Sequence, residues 1–175
     1  IVVLAALKNA ALLTGRAEAD LKVVISGAGA AGTAVASILV ADGVRNVMVG
    51  DSRGILSPER GDLNDAKSNL LLATNPTGFH GSVEEALDGA DVFIGVSGGT
   101  IAEDAVSRMA DESIIFSLAN PHPEIHPEVG GRHAAVVATG RSDFPNQINN
   151  VLAFPGIFRG AFDVRASKIT RSMNL

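Results

Sequence analysis

The residues best suited to bind a cofactor are three glycines spaced as G-x-G-x-x-G: Gly27, Gly29 and Gly32. Where a strand turns into a helix, the first glycine allows a tight turn and the second lets the backbone approach a pyrophosphate. The third lets the helix pack against the strand. The N–H groups of Ala30 and Ala31 would then face the phosphates, where the helix dipole favours negative charge. The pattern predicts a dinucleotide site, although a tight turn without a ligand would have the same sequence.

A carboxylate ends the next predicted strand. Asp51 stands 19 residues after Gly32, where an acidic side chain can accept hydrogen bonds from both hydroxyl groups of an adenosine ribose. It would also repel a 2′-phosphate, which favours NAD over NADP. Ser52 and Arg53 follow directly and could accommodate that phosphate, so the preference for NAD is weak. A solvated turn residue is the alternative interpretation of Asp51.

Two further stretches follow predicted strands, at the edge of the sheet where ligands bind in this architecture. Val96 and Ser97 open a run of small residues along which a cofactor could lie against the backbone. The alternative is an ordinary helix start with Thr100 as its cap. Asn120, after the next strand, could reach a nicotinamide or a substrate.

The stretch that contains Asn120 also invites a metal interpretation, since His122, Glu124, His126 and Glu128 lie close together in it. Prolines between them break the helical spacing that would bring such ligands to one face. We therefore expect a solvated loop there rather than a metal site.

An amide-rich stretch lies near the end of the chain, where Asn149 and Asn150 precede a predicted helix. Neutral amides that donate from a helix start suit a carboxylate or carbonyl substrate. Asn149 could equally be an N-cap and nothing more.

These residues need a scaffold of buried strands that alternate with helices. Short β-branched runs that are apolar on both faces predict a parallel sheet covered by helices on both sides, and hence an α/β, doubly wound, Rossmann-type fold in one domain of residues 1–175. An apolar helix ended by Gly15 precedes the sheet. The predicted strands cover 22–26, 46–50, 91–96, 113–118 and 134–138; the predicted helices cover 30–41, 63–73, short segments capped by Ser82 and Thr100, and a C-terminal segment from about 149, interrupted at Pro155; residues 51–66 are a predicted loop.

Composition excludes several classes of function. The net charge of −5 argues against nucleic acid or an acidic membrane as the main partner. The chain has no cysteine, which suits a reducing compartment, and we expect a cytoplasmic protein. It has no tyrosine either, so a tyrosine general acid would have to come from elsewhere.

Taken together, VVISGAGAAG, DVFIGVSGG, LANPHPEI and SDFPNQINNVLAFPGIFRGA closely resemble the malic enzymes of the short bacterial type, from residue 1 to about 170. The resemblance implies oxidative decarboxylation of L-malate to pyruvate and CO2 with NAD or NADP and with Mg or Mn. It implies a homodimer or larger assembly. By motif, Asn120, Asn149 and Asn150 lie beside malate and the nicotinamide, while residues 27–32 and Asp51 bind the dinucleotide.

The resemblance also implies that part of the machinery lies upstream. The family's tyrosine acid, lysine base and three acidic metal ligands belong to motifs that precede the apolar helix, and its final helices are cut short after Asn174. We therefore expect no catalytic residue and no metal ligand in this chain. We expect the chain alone to bind dinucleotide weakly and to turn nothing over.

Two other functions remain open on the residues alone. Another dehydrogenase of this fold, such as an amino-acid dehydrogenase, would use a lysine-based site and no metal carboxylates. A non-catalytic NAD-sensing domain would bind the dinucleotide without any response to malate.

Overall fold

The computed structural model describes residues 1–173. Its centre is a six-stranded sheet in the order β3-β2-β1-β4-β5-β6, in which β3 is antiparallel to β2 and the other pairings are parallel. The predicted fold class and its five parallel strands are confirmed. The expected truncation after Asn174 lies outside the described residues. The strands are β1 (Lys22–Ser26), β2 (Asn46–Asp51), β3 (Gly54–Ile55), β4 (Val92–Gly95), β5 (Ser113–Ser117) and β6 (Ala134–Thr139).

Helices cover both faces of the sheet because successive side chains of a strand point to opposite sides. Ile25 of β1 belongs to one hydrophobic core, which contains residues of the first three helices. Val24, its neighbour, belongs to the other core, which contains residues of the next two. The helices are α1 (Val2–Leu13), α2 (Ala30–Ala41), α3 (Asp65–Leu71), α4 (Val83–Ala86), α5 (Glu103–Ser107), α6 (Pro127–Gly130) and α7 (Phe154–Asp163), with 3-10 turns at Glu18–Asp20, Asn150–Leu152 and Arg171–Met173.

Local signals place the first helices and α4 as predicted. After α1, Gly15 has a φ of +67°, the left-handed conformation that commonly follows a helix and that glycine adopts without strain. The predicted capping box before α4 is present, since Ser82 accepts from the N–H of Glu85 and the Glu85 carboxylate accepts from the N–H of Ser82.

Two local predictions fail because tertiary contacts replace the expected ones. Thr100 does not cap α5, which begins at Glu103 without a side-chain cap. The N–H of Ala102 instead donates to the Glu84 carboxylate, and Glu103 pairs with Arg132. The predicted loop over 51–66 also contains β3, whose Ile55 is fully buried.

The predicted C-terminal segment divides at Ala153, into the 3-10 turn Asn150–Leu152 and α7, just before Pro155. Pro155 lies in the first turn of α7, where a proline removes no hydrogen bond because the first N–H groups of a helix have no partner within it. Phe154, Phe158 and Phe162 are 46%, 57% and 77% exposed, so α7 presents an aromatic stripe at a spacing of four residues. None of the helices formed by residues 1–173 is both long and apolar enough to cross a membrane.

Candidate dinucleotide-binding site

The glycine loop joins β1 to α2, as the G-x-G-x-x-G pattern predicts. Gly27 has a φ of +125°, and a Cβ there would come within 2.9 Å of Val96 Cγ2. A Cβ on Gly32 would overlap the carbonyl oxygen of Gly27. Gly29 is exposed and a Cβ on it would meet no atom within 4 Å. The first and third glycines are therefore required by the fold, whereas the second leaves space open to a ligand.

The loop lies at the switch point of the sheet, between β1 and β4, where a doubly wound fold leaves a crevice for a ligand. The Val96 N–H donates to the Ser26 carbonyl at 2.9 Å, and the hydroxyl groups of Ser26 and Ser97 lie 2.9 Å apart. Ala30 and Ala31 are exposed in the first turn of α2. The predicted loop residues after β1 and β4 are thus brought together.

Asp51 ends β2 as predicted, but its carboxylate is already held by cations. Arg60 donates to both of its oxygens, at 2.9 and 3.1 Å, and Lys67 Nζ lies 2.5 Å from Oδ2. The N–H of Arg53 donates to Oδ1 at 2.9 Å. The alternative interpretation as a solvated turn residue is wrong, since the side chain of Asp51 is 13% exposed. Ser52 is exposed beside it.

These cations decide the charge state of the carboxylate. Burial raises the pKa of Asp51, but the hydrogen bonds from Arg60 and Lys67 outweigh it and lower that pKa from 3.8 to about 2. The Arg60 side chain is 6% exposed. Its hydrogen bonds to Asp62 and to Asp51 raise the pKa of its guanidinium. Asp51 is therefore ionised at neutral pH. The guanidinium of Arg53 also pairs with Asp62, so the cluster holds three cations and two carboxylates.

Arg60 and Lys67 are not among the site residues predicted from the sequence. Arg60 lies in the irregular segment after β3, where no periodic pattern fixes the direction of a side chain. Lys67 lies in α3, and the helical pattern does not say where that helix packs. Only the folded chain shows that they converge on Asp51.

A cleft of about 830 Å³ opens at the carboxyl edge of the sheet. Asn120, Asn149 and Asn150 line it together with Ala31 and Val96. The structure thus brings the three predicted substrate residues to one cavity, beside two of the predicted cofactor residues. The other predicted cofactor residues do not line it: Gly27, Gly29, Ala30, Gly32, Asp51, Ser52 and Ser97.

The asparagines differ in their own contacts. Asn149 caps the 3-10 turn that follows it, because its Oδ1 accepts from the N–H of Val151 at 3.0 Å, and its Nδ2 donates to the Gly140 carbonyl at 3.0 Å. Asn120 and Asn150 are exposed. Asn149 therefore shapes the cleft, whereas the side chains of Asn120 and Asn150 are open to solvent there.

The expectation of a solvated loop after Asn120 is only partly right. His122, His126 and Glu128 are exposed. Glu124 is 1% exposed, and its carboxylate accepts from backbone N–H groups of Ser97, Gly98 and Ala119. The sequence carries no signal for this contact, which joins two loops far apart along the chain.

No group of three His, Cys, Asp or Glu side chains within residues 1–173 is arranged to hold a metal ion. The residues of the cleft are amides and apolar side chains rather than carboxylates. They do not fit a divalent cation, which prefers several carboxylate or carbonyl oxygens.

The comparisons with known proteins agree with this geometry. A sequence profile described as "Malic enzyme, NAD binding domain" matches residues 1–175. The chain belongs to this family. Among its relatives, the bifunctional malic/malolactic enzyme of Bacillus subtilis is 49% identical over 178 residues, which cover 100% of this chain and 43% of that protein.

Members of the family with either cofactor are similar to the chain. The NADP-dependent malic enzyme of Halomonas elongata is 43% identical over 100% of this chain and 42% of its own length. The crystal structure of the NAD-dependent malic enzyme from Thermotoga maritima superposes with a TM-score of 0.92 and 47% identity, over 97% of this chain and 46% of that one. The chain thus spans less than half the length of these relatives.

Proposed function

We propose that this chain is the dinucleotide-binding half of an enzyme that oxidises and decarboxylates L-malate to pyruvate and CO2. The observation that carries the proposal is the cleft in which Asn120, Asn149 and Asn150 face the start of α2. Neutral amides suit a carboxylate or carbonyl substrate because their N–H groups can donate hydrogen bonds to its oxygens. Membership of the malic enzyme family supports malate as that substrate.

The fold accounts for how the dinucleotide would be held. The pyrophosphate would lie at the open space over Gly29, against the first N–H groups of α2. Asp51 would accept from the adenosine ribose on the β2 side, in exchange for one of the donors that hold its carboxylate in this structure. The nicotinamide half would then extend past Val96 toward Asn120, because these residues follow the strands on the opposite side of β1. When bound there, the nicotinamide supplies the acceptor for a hydride from C2 of malate.

The chain's own residues would bind and orient rather than transfer protons. The exposed amides of Asn120 and Asn150 would donate to oxygens of malate, while Asn149 keeps the 3-10 turn in place. Ala31, Val96 and other apolar residues of the cleft would exclude water from the reacting carbon. A general acid, a general base and the Mg or Mn ion would come from the upstream part that the resemblance implies.

The choice between NAD and NADP is set at Asp51 in this proposal. The carboxylate favours NAD, while the surrounding Arg60 and Lys67 provide positive charge for a 2′-phosphate. We retain a weak preference for NAD, since Asp51 is ionised at neutral pH.

Assembly and location complete the proposal. We infer a homodimer or larger assembly and a cytoplasmic protein. Support for further protein contacts comes from the aromatic stripe of α7, which leaves three phenylalanines exposed. Static light scattering on the complete polypeptide tests the assembly: a single-chain mass would overturn it.

The test of the activity compares the chain alone with the complete polypeptide that carries it. With L-malate, Mg2+ and either dinucleotide, the complete polypeptide should produce pyruvate and reduced cofactor in equal amounts, and the chain alone none. Malate-dependent NADH production by the chain alone would contradict the proposal. Oxidation of amino acids instead of malate by the complete polypeptide would favour the amino-acid dehydrogenase alternative.

A NADH fluorescence titration with and without malate separates the enzyme from a sensor. In the complete polypeptide, malate should change the affinity for NADH. A domain that only senses NAD would show no effect of malate.

A further inference from the structure

A buried carboxylate ties together two loops at the carboxyl edge of the sheet. Glu124 Oε1 accepts from the N–H groups of Ser97 and Gly98, at 2.9 and 3.3 Å. Oε2 accepts from the N–H of Ala119 at 3.3 Å. One side chain therefore holds the loop after β4 and the loop after β5. Charged side chains are rarely this deeply buried unless they are paired, and here the partners are all backbone N–H groups.

The carboxylate lies against the backbone at the end of β4, where residue 95 has no side chain. A Cβ on Gly95 would overlap the carboxyl group of Glu124, so only glycine at position 95 lets the carboxylate lie over the strand. The position of the Glu124 carboxylate therefore depends on glycine at position 95.

The backbone around Glu124 is also anchored, which fixes the direction of its side chain. The N–H of Ile125 donates to Ser117 Oγ at 3.2 Å, and Ile125 is 2% exposed in the second hydrophobic core. The carbonyl of Glu124 accepts from the N–H of Ile101 at 2.9 Å. The side chain is therefore held before any ligand arrives.

We propose that Glu124 is a positioning residue for the nicotinamide half of the cofactor. It fixes the loops that carry Ser97 and Asn120 relative to each other. Along the carboxyl edge of the sheet, the glycine loop lies between Asp51 and these two loops. The inference rests on the proposed function, because that function supplies the orientation of the dinucleotide. Glu124 itself touches neither cofactor nor substrate.

The conservative variant Glu124→Gln removes the acceptor on one side. If the amide oxygen keeps the two N–H groups of Ser97 and Gly98, the amide nitrogen faces the N–H of Ala119, and two donors repel each other. The loop after β5 is then released, and Asn120 with it. The Glu124 carboxylate accepts hydrogen bonds from Ser97, Gly98 and Ala119 and from neither the glycine loop nor Asp51. We therefore expect the adenosine and pyrophosphate site to remain intact.

The deciding experiment compares two ligands in the complete polypeptide. ADP-ribose contains the adenosine, the pyrophosphate and the second ribose but no nicotinamide. In Glu124→Gln, the Kd for NAD+ should rise about tenfold, while the Kd for ADP-ribose should change less than about twofold. The kcat with malate should fall in parallel. Glu128→Gln, which alters an exposed carboxylate of the same segment, is the matched control and should change neither affinity.

A second and a third variant guard against loss of folding. Glu124→Asp retains a buried carboxylate that reaches only one of the two loops, and it should show the same selective loss to a smaller degree. Gly95→Ala places a Cβ where the Glu124 carboxyl group lies. It should show the same selective loss of NAD+ affinity as Glu124→Gln.

The outcomes separate the two proposals. Equal loss of ADP-ribose and NAD+ binding in both Glu124→Gln and Glu124→Asp would make Glu124 a support of the fold alone and overturn the inference. Unchanged binding of both ligands would overturn it as well. Failure of the unaltered protein to bind either ligand would instead overturn the proposed function.

Discussion

The carbonyl oxygen of Gly27 occupies the space in which a side chain of residue 32 would begin. The first turn of α2 therefore lies directly against the end of β1, and Gly32 is required for that packing. Gly29, between them, faces open space. Two glycines of one motif thus have different physical reasons to be glycine, one in the fold and one in the ligand site.

Alanine at these two positions should separate folding from binding. Gly32→Ala should lower the free energy of unfolding by about 3 kcal/mol, since the new Cβ overlaps backbone. Gly29→Ala should change it by less than about 0.5 kcal/mol, because its φ of −84° suits alanine. It should nevertheless weaken NADH binding about tenfold. Urea unfolding and NADH fluorescence titration measure the two quantities; full NADH affinity in Gly29→Ala would contradict a pyrophosphate site there.

The Asp51 carboxylate should stabilise the fold above about pH 4. Its folded pKa of about 2 lies below the ordinary 3.8, so the stabilisation is fully present above the unfolded pKa and is lost as pH falls through the folded one. The difference corresponds to about 2 kcal/mol. Urea unfolding of the parent and of Asp51→Asn between pH 6 and pH 2 should show a gap in stability that closes between about pH 4 and pH 2. A gap that persists at pH 2 would contradict the assignment.

Asp51→Asn should also change the choice of cofactor. Removal of the negative charge leaves Arg60 and Lys67 to attract a 2′-phosphate, so the ratio of Kd for NADP+ to Kd for NAD+ should fall about tenfold. Isothermal titration with both dinucleotides at pH 7 measures this ratio. Asp88→Asn is the control, since Asp88 is exposed and lies near Lys22 at the start of β1. It should leave the ratio of the two Kd values unchanged. An unaltered ratio in Asp51→Asn would place the adenosine ribose elsewhere.

The two neighbouring asparagines should respond differently to truncation. Asn149→Ala loses the cap on the N–H of Val151 and should cost about 1 kcal/mol of stability. Asn150→Ala alters an exposed side chain and should cost less than about 0.5 kcal/mol, while it raises the KM for malate in the complete polypeptide. Thermal unfolding and steady-state kinetics check both. A variant Asn150→Ala with unchanged KM would remove that residue from the substrate site.

The parts of the fold that were predictable are those that local patterns determine. β1 and α2 have the predicted bounds because a β-branched run, a glycine loop and an alanine-rich run each favour one structure. Thr100 and Glu103 match the sequence pattern of a capping box, yet the N–H of Ala102 donates to the Glu84 carboxylate of α4. A short local signal is overridden when a partner distant in sequence satisfies the same group.

The candidate site follows the same division. The glycine spacing, Asp51 and the three asparagines were predictable because each follows a strand, and parallel strands end at a common edge. Arg60 and Lys67 were not, since their approach to Asp51 depends on the path of an irregular segment. The prolines around Glu124 predict a solvated loop. Only the folded chain shows that its carboxylate is buried against Gly95.

The central claim is that a dinucleotide lies across the switch point between β1 and β4. Amide chemical shifts of the 15N-labelled chain, recorded as NAD+ is added, test it most directly. We predict that the resonances of Gly29, Ala30 and Ala31 shift together with those of Ser97 and Ala119. The resonance of Gly130, in α6 against Ile115 and Val137, should stay unchanged. Shifts confined to α7, or none in residues 27–32, would contradict the claim.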